Sequence, residues 1–149
     1  MSVGRERALG ERAVGAASTL VRLGLAALLA YAAVSKLLDP AAFAEDIQNY
    51  RVLPEAWAGP LALALPVLEL VVAAALLSAS HGSGASLLAG VLLLTFALAM
   101  AQAKVRGIDL ECGCFGGHSR VSWTKVALNV GLAALAFGAA RRPVLNPLP

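Results

Sequence analysis

The sequence predicts an all-α integral membrane protein: a bundle of four transmembrane helices with a short interfacial helix between spans 1 and 2. Composition is the first reason. Hydrophobic residues make up 59% of the chain and charged residues 14%, against about 45–50% and about 25% in soluble domains. A soluble four-helix bundle needs a polar outer face on every helix, and this chain lacks the charges to build four. Distribution is the second. Four long apolar segments alternate with short stretches that hold most of the charge. The length suits one domain rather than two.

Residues 1–16 carry Arg5, Glu6, Arg7, Glu11 and Arg12 and read as a cytoplasmic N-terminal tail of little fixed order. The membrane domain is expected over residues 17–140. Its first span runs from about Ala17 to Leu38. The uninterrupted apolar part, Leu23–Ser35, is too short for a hydrocarbon core of about 30 Å. Arg22 and Lys36 bracket it, and their long stems can snorkel to opposite interfaces. The basic flank and Ala30-Tyr31-Ala32 also fit a cleaved signal peptide. The helical pattern continuing to Asp39-Pro40 favours a retained span.

Residues 39–59 are amphiphilic. Phe43, Ile47 and Tyr50 recur at helical spacing, with Glu45, Asp46 and Arg51 between them. A short interfacial helix fits, opened at the Asp39-Pro40 break and closed by Leu53-Pro54. The second span is expected at about Gly59–Ala79. Glu69 is charged near its middle, and Pro66 lies one turn before, where it frees the carbonyl of Ala62. The third is expected at about Ala85–Ala103 and the fourth at about Ser122–Ala140, followed by a short tail, 141–149. All are rich in Ala and Gly, which lets helices approach closely in lipid.

The net charge of +3 does not imply nucleic acid, because the basic residues are scattered and lack aromatic interleaving. They read as juxtamembrane anchors. Lys and Arg tie at six on each side: 5, 7, 12, 22, 141 and 142 against 36, 51, 104, 106, 120 and 125. The first span breaks the tie, with more basic residues before it than after. The expected arrangement is a multi-pass plasma-membrane protein, termini cytoplasmic and loop 104–121 extracytoplasmic. Trp57 and Trp123 fall at the outer ends of their spans and mark an interface there, without identifying its side.

Chemistry concentrates in two places. Cys112-Gly113-Cys114 lies in the Gly-rich loop and holds both cysteines of the chain. Adjacent thiols can exchange with a partner's disulfide, one attacking and the other resolving. Lys104 and Arg106 would favour the thiolate if they fold back, while Asp109 and Glu111 would oppose it. A static loop staple is the bland alternative. A metal site with His118 lacks an evident fourth ligand, so no metal is expected. The second place is Glu69. A carboxylate at mid-bilayer depth needs a partner inside the bundle, and Lys36 is the expected one. Lys125 and Asn129 share one face of the fourth span, and Gln102 near the loop is a further candidate for this polar group. Glu69 then either locks helix packing, or accepts a proton during thiol oxidation, or contacts a quinone-like acceptor. Gln102, Trp123 and Asn129 are the candidate contacts for such a cofactor; for Trp123 and Phe115 simple interface anchoring is the favoured reading.

Lys36-Leu37-Leu38-Asp39-Pro40, Phe43, Tyr50-Arg51-Val52-Leu53-Pro54, Pro66-x-x-Glu69 and Cys112-Gly113-Cys114-Phe115-Gly116 together resemble the methylamine utilisation protein E (MauE) family, within the DoxX-like four-helix membrane proteins. The resemblance covers about residues 17–140. It implies a part in maturing an exported enzyme, in that family the disulfide-rich small subunit of methylamine dehydrogenase. It also implies Cys112 and Cys114 as the working pair, with Lys36, Glu69 and Asn129 in support. The family pattern often places a basic residue directly before the Asn, where this chain has Leu128. The expected function is a membrane thiol–disulfide component serving exported proteins, with a thioredoxin-like or disulfide-containing partner. A non-catalytic assembly or transport factor is the alternative.

Overall fold

The computed structural model describes residues 2–78, 80–108 and 121–141, with side chains described from residue 9 onward except residue 11. No strand occurs among the described residues. The helices are α1 (Ser2–Leu38), α2 (Pro40–Asn49), α3 (Ala58–Leu77), α4 (Gly82–Val105) and α5 (Trp123–Ala140), with a 3-10 turn at Glu55–Trp57. Four segments are long and apolar enough to cross a membrane: Arg12–Leu38, Glu55–Leu77, Gly82–Val105 and Trp123–Ala140. The shorter helix lies between the first two, as the sequence predicts.

α1 has 37 residues, about 55 Å at the usual helical rise. The segment expected to be a loosely ordered tail is therefore helical from Ser2. It contains no proline, and its Arg, Glu, Ala and Leu residues are good helix formers. The Asp39-Pro40 signal proves to be both a stop and a start. Proline occupies the first turn of α2, where no amide hydrogen is needed, and the Asp39 carboxylate accepts from the Ala42 amide at 3.0 Å. α2 buries none of its residues fully and packs mainly on α3. It ends at Asn49, and Arg51, two residues on, takes a left-handed φ of 49°. The Arg51 carbonyl accepts from Arg106 Nη1 at 3.1 Å, tying the α2–α3 connection to the end of α4.

The bundle differs from a water-soluble one on its outside, not in its apolar core. Its buried seam is built from small and aliphatic residues, among them Ala26, Leu29, Ala73, Ala89, Leu93 and Ala136. Its outside carries Leu63, Val67, Val71, Leu87, Val91 and Leu98, a larger exposed apolar area than water tolerates. Burial of apolar area does not hold such helices together in lipid; close van der Waals packing does. α4 lies tightest on α5. There Gly90 admits the Phe137 ring, whose Cε1 sits 2.6 Å from where a Cβ would stand.

At the end of the bundle shared by the start of α4 and the end of α5, Arg22 is 5% exposed. Its Nη2 donates to the Ala139 carbonyl at 3.1 Å and to Ser83 Oγ at 3.4 Å. The guanidinium thereby satisfies a carbonyl at the negative end of α5. Gly82 makes room for it, since a Cβ there would collide with the guanidinium. At the opposite end, Met100, Ala103 and Val121 form a second buried cluster, with Tyr50, Ile108 and Val126 against it.

Gly90→Ala should destabilise the bundle by about 1–3 kcal/mol through overpacking, read as a lower thermal midpoint in detergent. Phe137→Leu added to Gly90→Ala should recover part of that loss. Equal losses in both backgrounds would show that the ring does not set the α4–α5 distance.

Candidate functional site

Glu69 lies eleven residues into α3, about 16 Å along its axis, which puts it near mid-bilayer depth. Its side chain is 0% exposed and that of Lys36 is 2% exposed. α3 stays helical through Pro66. Lys36 Nζ donates to Glu69 Oε1 at 2.9 Å and Oε2 at 3.0 Å, and to the Ala32 carbonyl at 3.2 Å. All three ammonium hydrogens are thereby used. The Phe43 ring of α2 and the Phe96 ring of α4 flank the same nitrogen, with centroids at 5.5 and 5.7 Å, within cation–π range.

The pairing of Lys36 with Glu69 follows the sequence-based expectation, but snorkelling does not occur. Side chains on a helix lean toward its N-terminus. The Lys36 stem therefore runs back into the bundle, where an ionised carboxylate and two aromatic faces replace the hydration that the interface would offer.

A chamber of about 20 Å³ adjoins the pair, lined by Leu28, Leu29, Ala32, Leu93 and Phe96 and by the polar groups of Lys36, Glu69 and Asn129. Asn129 is 4% exposed, and its Nδ2 donates to the Lys125 carbonyl at 3.0 Å. α5 begins at Trp123, two residues before Lys125, and the Ser122 side chain caps it by accepting from the Lys125 amide. So α1, α3 and α5 each bring one polar side chain to a common point, and α4 brings an aromatic wall.

The remaining candidates among the described residues do not line this chamber. Gln102 does not line the chamber; its Oε1 is buried with no hydrogen-bond partner among the described residues. Trp123 is the first residue of α5 and is exposed, as an interface anchor would be. Arg106 binds the Arg51 carbonyl. Cys112, Cys114 and His118 lie outside the described residues. The residues on either side of that segment, Ile108 and Val121, meet at the Tyr50 cluster. No group of three or more His, Cys, Asp or Glu residues able to hold a metal occurs among the described residues. Sequence reading missed Phe96, although it is the single aromatic residue of its span. It also missed the Ala32 carbonyl, which no side-chain pattern announces.

The chain matches the family described as methylamine utilisation protein MauE over residues 14–141. The methylamine utilization protein MauE of Paracoccus versutus is 44% identical over 123 residues, covering 80% of this chain and 66% of its own length. That of Methylorubrum extorquens is 42% identical over 126 residues, covering 83% and 68%. That of Paracoccus denitrificans is 41% identical over 123 residues, covering 80% and 66%. The chain thus spans about two thirds of the length of these relatives. No solved structure matches it.

Breaking the pair from either side should cost about 3–5 kcal/mol, because a lone buried charge remains. Lys36→Met and Glu69→Leu should each lower the thermal midpoint in detergent. The double variant should recover much of the loss, since two apolar residues leave no orphan charge. Strictly additive losses would mean that the two side chains do not stabilise each other.

Proposed function

We propose, from the premise that this chain belongs to the methylamine utilisation protein MauE family, that it is a membrane thiol–disulfide component that assists disulfide formation in exported proteins. The observation that carries this reading is a neutralised ion pair buried in the bundle and contacted through Phe43 by α2. Tyr50, which follows α2, packs on the same buried cluster as Ile108, a cluster that includes Val121; Ile108 and Val121 flank the segment containing Cys112 and Cys114. The polar centre and the two residues that flank the sulfur-bearing segment are thus linked through α2 and the turn after it.

The working pair is Cys112 and Cys114. In the oxidised state their disulfide exchanges with two thiols of an exported protein. The new S–S bond forms in that protein, the Cys112–Cys114 bond breaks, and the two protons end on Cys112 and Cys114. Reoxidation passes two electrons and two protons to a thioredoxin-like partner's disulfide or to a membrane quinone. Glu69, held by Lys36, is the proton-accepting group of this cycle. The protein sits in the plasma membrane with both termini cytoplasmic and the sulfurs outside. Methylamine utilisation is the family's setting, and maturation of the methylamine dehydrogenase small subunit is the substrate role that follows from it.

A second reading has one observation in its favour: Lys36–Glu69 joins α1 to α3 and needs no chemistry to be useful there. On that reading the chain is a non-catalytic assembly or transport factor, and the two cysteines staple a loop.

Two measurements separate these readings. Membrane-impermeant thiol reagents applied to intact cells should label both cysteines after reduction and neither before. Replacing either cysteine with Ala should trap a mixed disulfide with a partner, and the double Cys→Ala variant should lose at least ten-fold in exported disulfide formation. Full activity of the double variant, together with loss in Glu69→Ala, would establish the staple reading. Labelling only from the cytoplasmic side would refute the orientation.

A further inference from the structure

Lys and Arg divide equally along the chain, but the acidic residues do not. Residues 1–22 and 141–149 hold six Lys and Arg against two acidic residues, Glu6 and Glu11, an excess of four positive charges. Residues 23–140 hold six against seven, a deficit of one. The fold gathers the two terminal segments at one end of the bundle. Arg22 donates to the Ala139 carbonyl, and Ser18 donates to the same oxygen at 3.5 Å. Arg141 follows α5 directly and is exposed. Arg12 is exposed on α1, ten residues and about 15 Å before Arg22. The acidic side chains described outside the ion pair are Asp39, Glu45, Asp46 and Glu55. All four lie on or beside α2 and the turn after it, at the far end of α1.

Apolar surface surrounds these cations. Leu9, Val14 and Leu20 are 59%, 40% and 69% exposed on the same stretch of α1 as Arg12. The exposed apolar surface then continues through Leu23 into the lipid-facing wall. Cationic and apolar side chains exposed together suit neither bulk water nor hydrocarbon. They suit the headgroup zone, where apolar groups and arginine stems lie against acyl chains and the guanidinium groups lie among phosphates. We propose that the end of the bundle carrying the termini is a binding surface for anionic phospholipid headgroups, with Arg12 and Arg141 as its exposed contacts. A zwitterionic headgroup brings its own cation and gains less from this excess charge. The surface stands on charge placement and exposure and does not depend on any thiol chemistry.

The test titrates the full chain, in neutral detergent, with phosphatidylglycerol or phosphatidylcholine of the same acyl chains and reads bound lipid by native mass spectrometry. The expected result is tighter binding of phosphatidylglycerol. Arg12→Gln with Arg141→Gln should cut that preference about ten-fold, with an unchanged thermal midpoint showing that the variant folds. Arg51→Gln with Lys104→Gln removes as much charge from the other end and should leave the preference intact. Raising the salt to about 0.5 M ammonium acetate should narrow the preference of the parent protein, a reading that needs no variant. Equal binding of the two lipids by the parent overturns the proposal and leaves the patch to an acidic protein. An equal fall in both double variants also overturns it, since net charge alone would then explain the preference. So does displacement of the lipid by millimolar inorganic phosphate at constant ionic strength, the behaviour of a free-anion site. Each of these results leaves the thiol–disulfide reading standing, and failure of thiol trapping leaves this surface standing.

Discussion

A charge surrounded by hydrocarbon has no water to turn to, and that constraint organises this bundle. Glu69 can stay at mid-depth only because Lys36 reaches it with two hydrogen bonds of 2.9 and 3.0 Å. Neutralising one charge by the other does not remove the cost of burying both. The rest comes from the Ala32 carbonyl and from the Phe43 and Phe96 rings. These contacts involve α1, α2, α3 and α4 at once. The pair thus works as a keystone: satisfying it fixes where α3 stands against α1, where α2 lies over them, and which residue of α4 turns inward.

The same logic recurs at the other end. Arg22 is as deeply buried as Lys36, but its counterpart is a helix terminus. The last carbonyls of α5 have no partner within their own helix, and a guanidinium supplies two donors in a fixed fork. α1 is fastened differently at two points as a result, by an ion pair toward α3 at Lys36 near its end and by a backbone carbonyl of α5 at Arg22 near its middle. Between them lies an apolar seam with small residues such as Ala26, Ala89 and Ala136, which lets the helices close without any driving force from water.

Much of this was legible in the sequence, for reasons that differ by element. The four spans follow from composition and charge placement, because hydrocarbon admits few other backbones. α2 was visible through Asp39-Pro40 and the spacing of Phe43, Ile47 and Tyr50. Glu69 and Lys36 could be paired on paper because a lone intramembrane carboxylate demands a cation, and few lie within reach. What could not be read was direction. A lysine near a span's end reads equally well as an interface anchor or as an inward hook. Gln102 illustrates the reverse: proximity to the loop in sequence suggested membership of the polar group, yet it does not line the chamber. The helical state of residues 2–16 was obscured because charge density reads as solvation, whereas Arg, Glu and Ala also propagate a helix that has already been nucleated by its membrane part.

Consider last how little room the seam leaves. Beneath Lys36 and Glu69, Leu25, Leu29, Leu92 and Leu93 are buried and belong to one cluster with Ala133 and Ala136. Opposite charges held in contact also present almost no net charge to a transmembrane field. A bundle closed at its waist in this way can sit in an energised bilayer without short-circuiting it. Its ionic centre is electrically quiet, and among the described residues the cluster beneath it is wholly apolar.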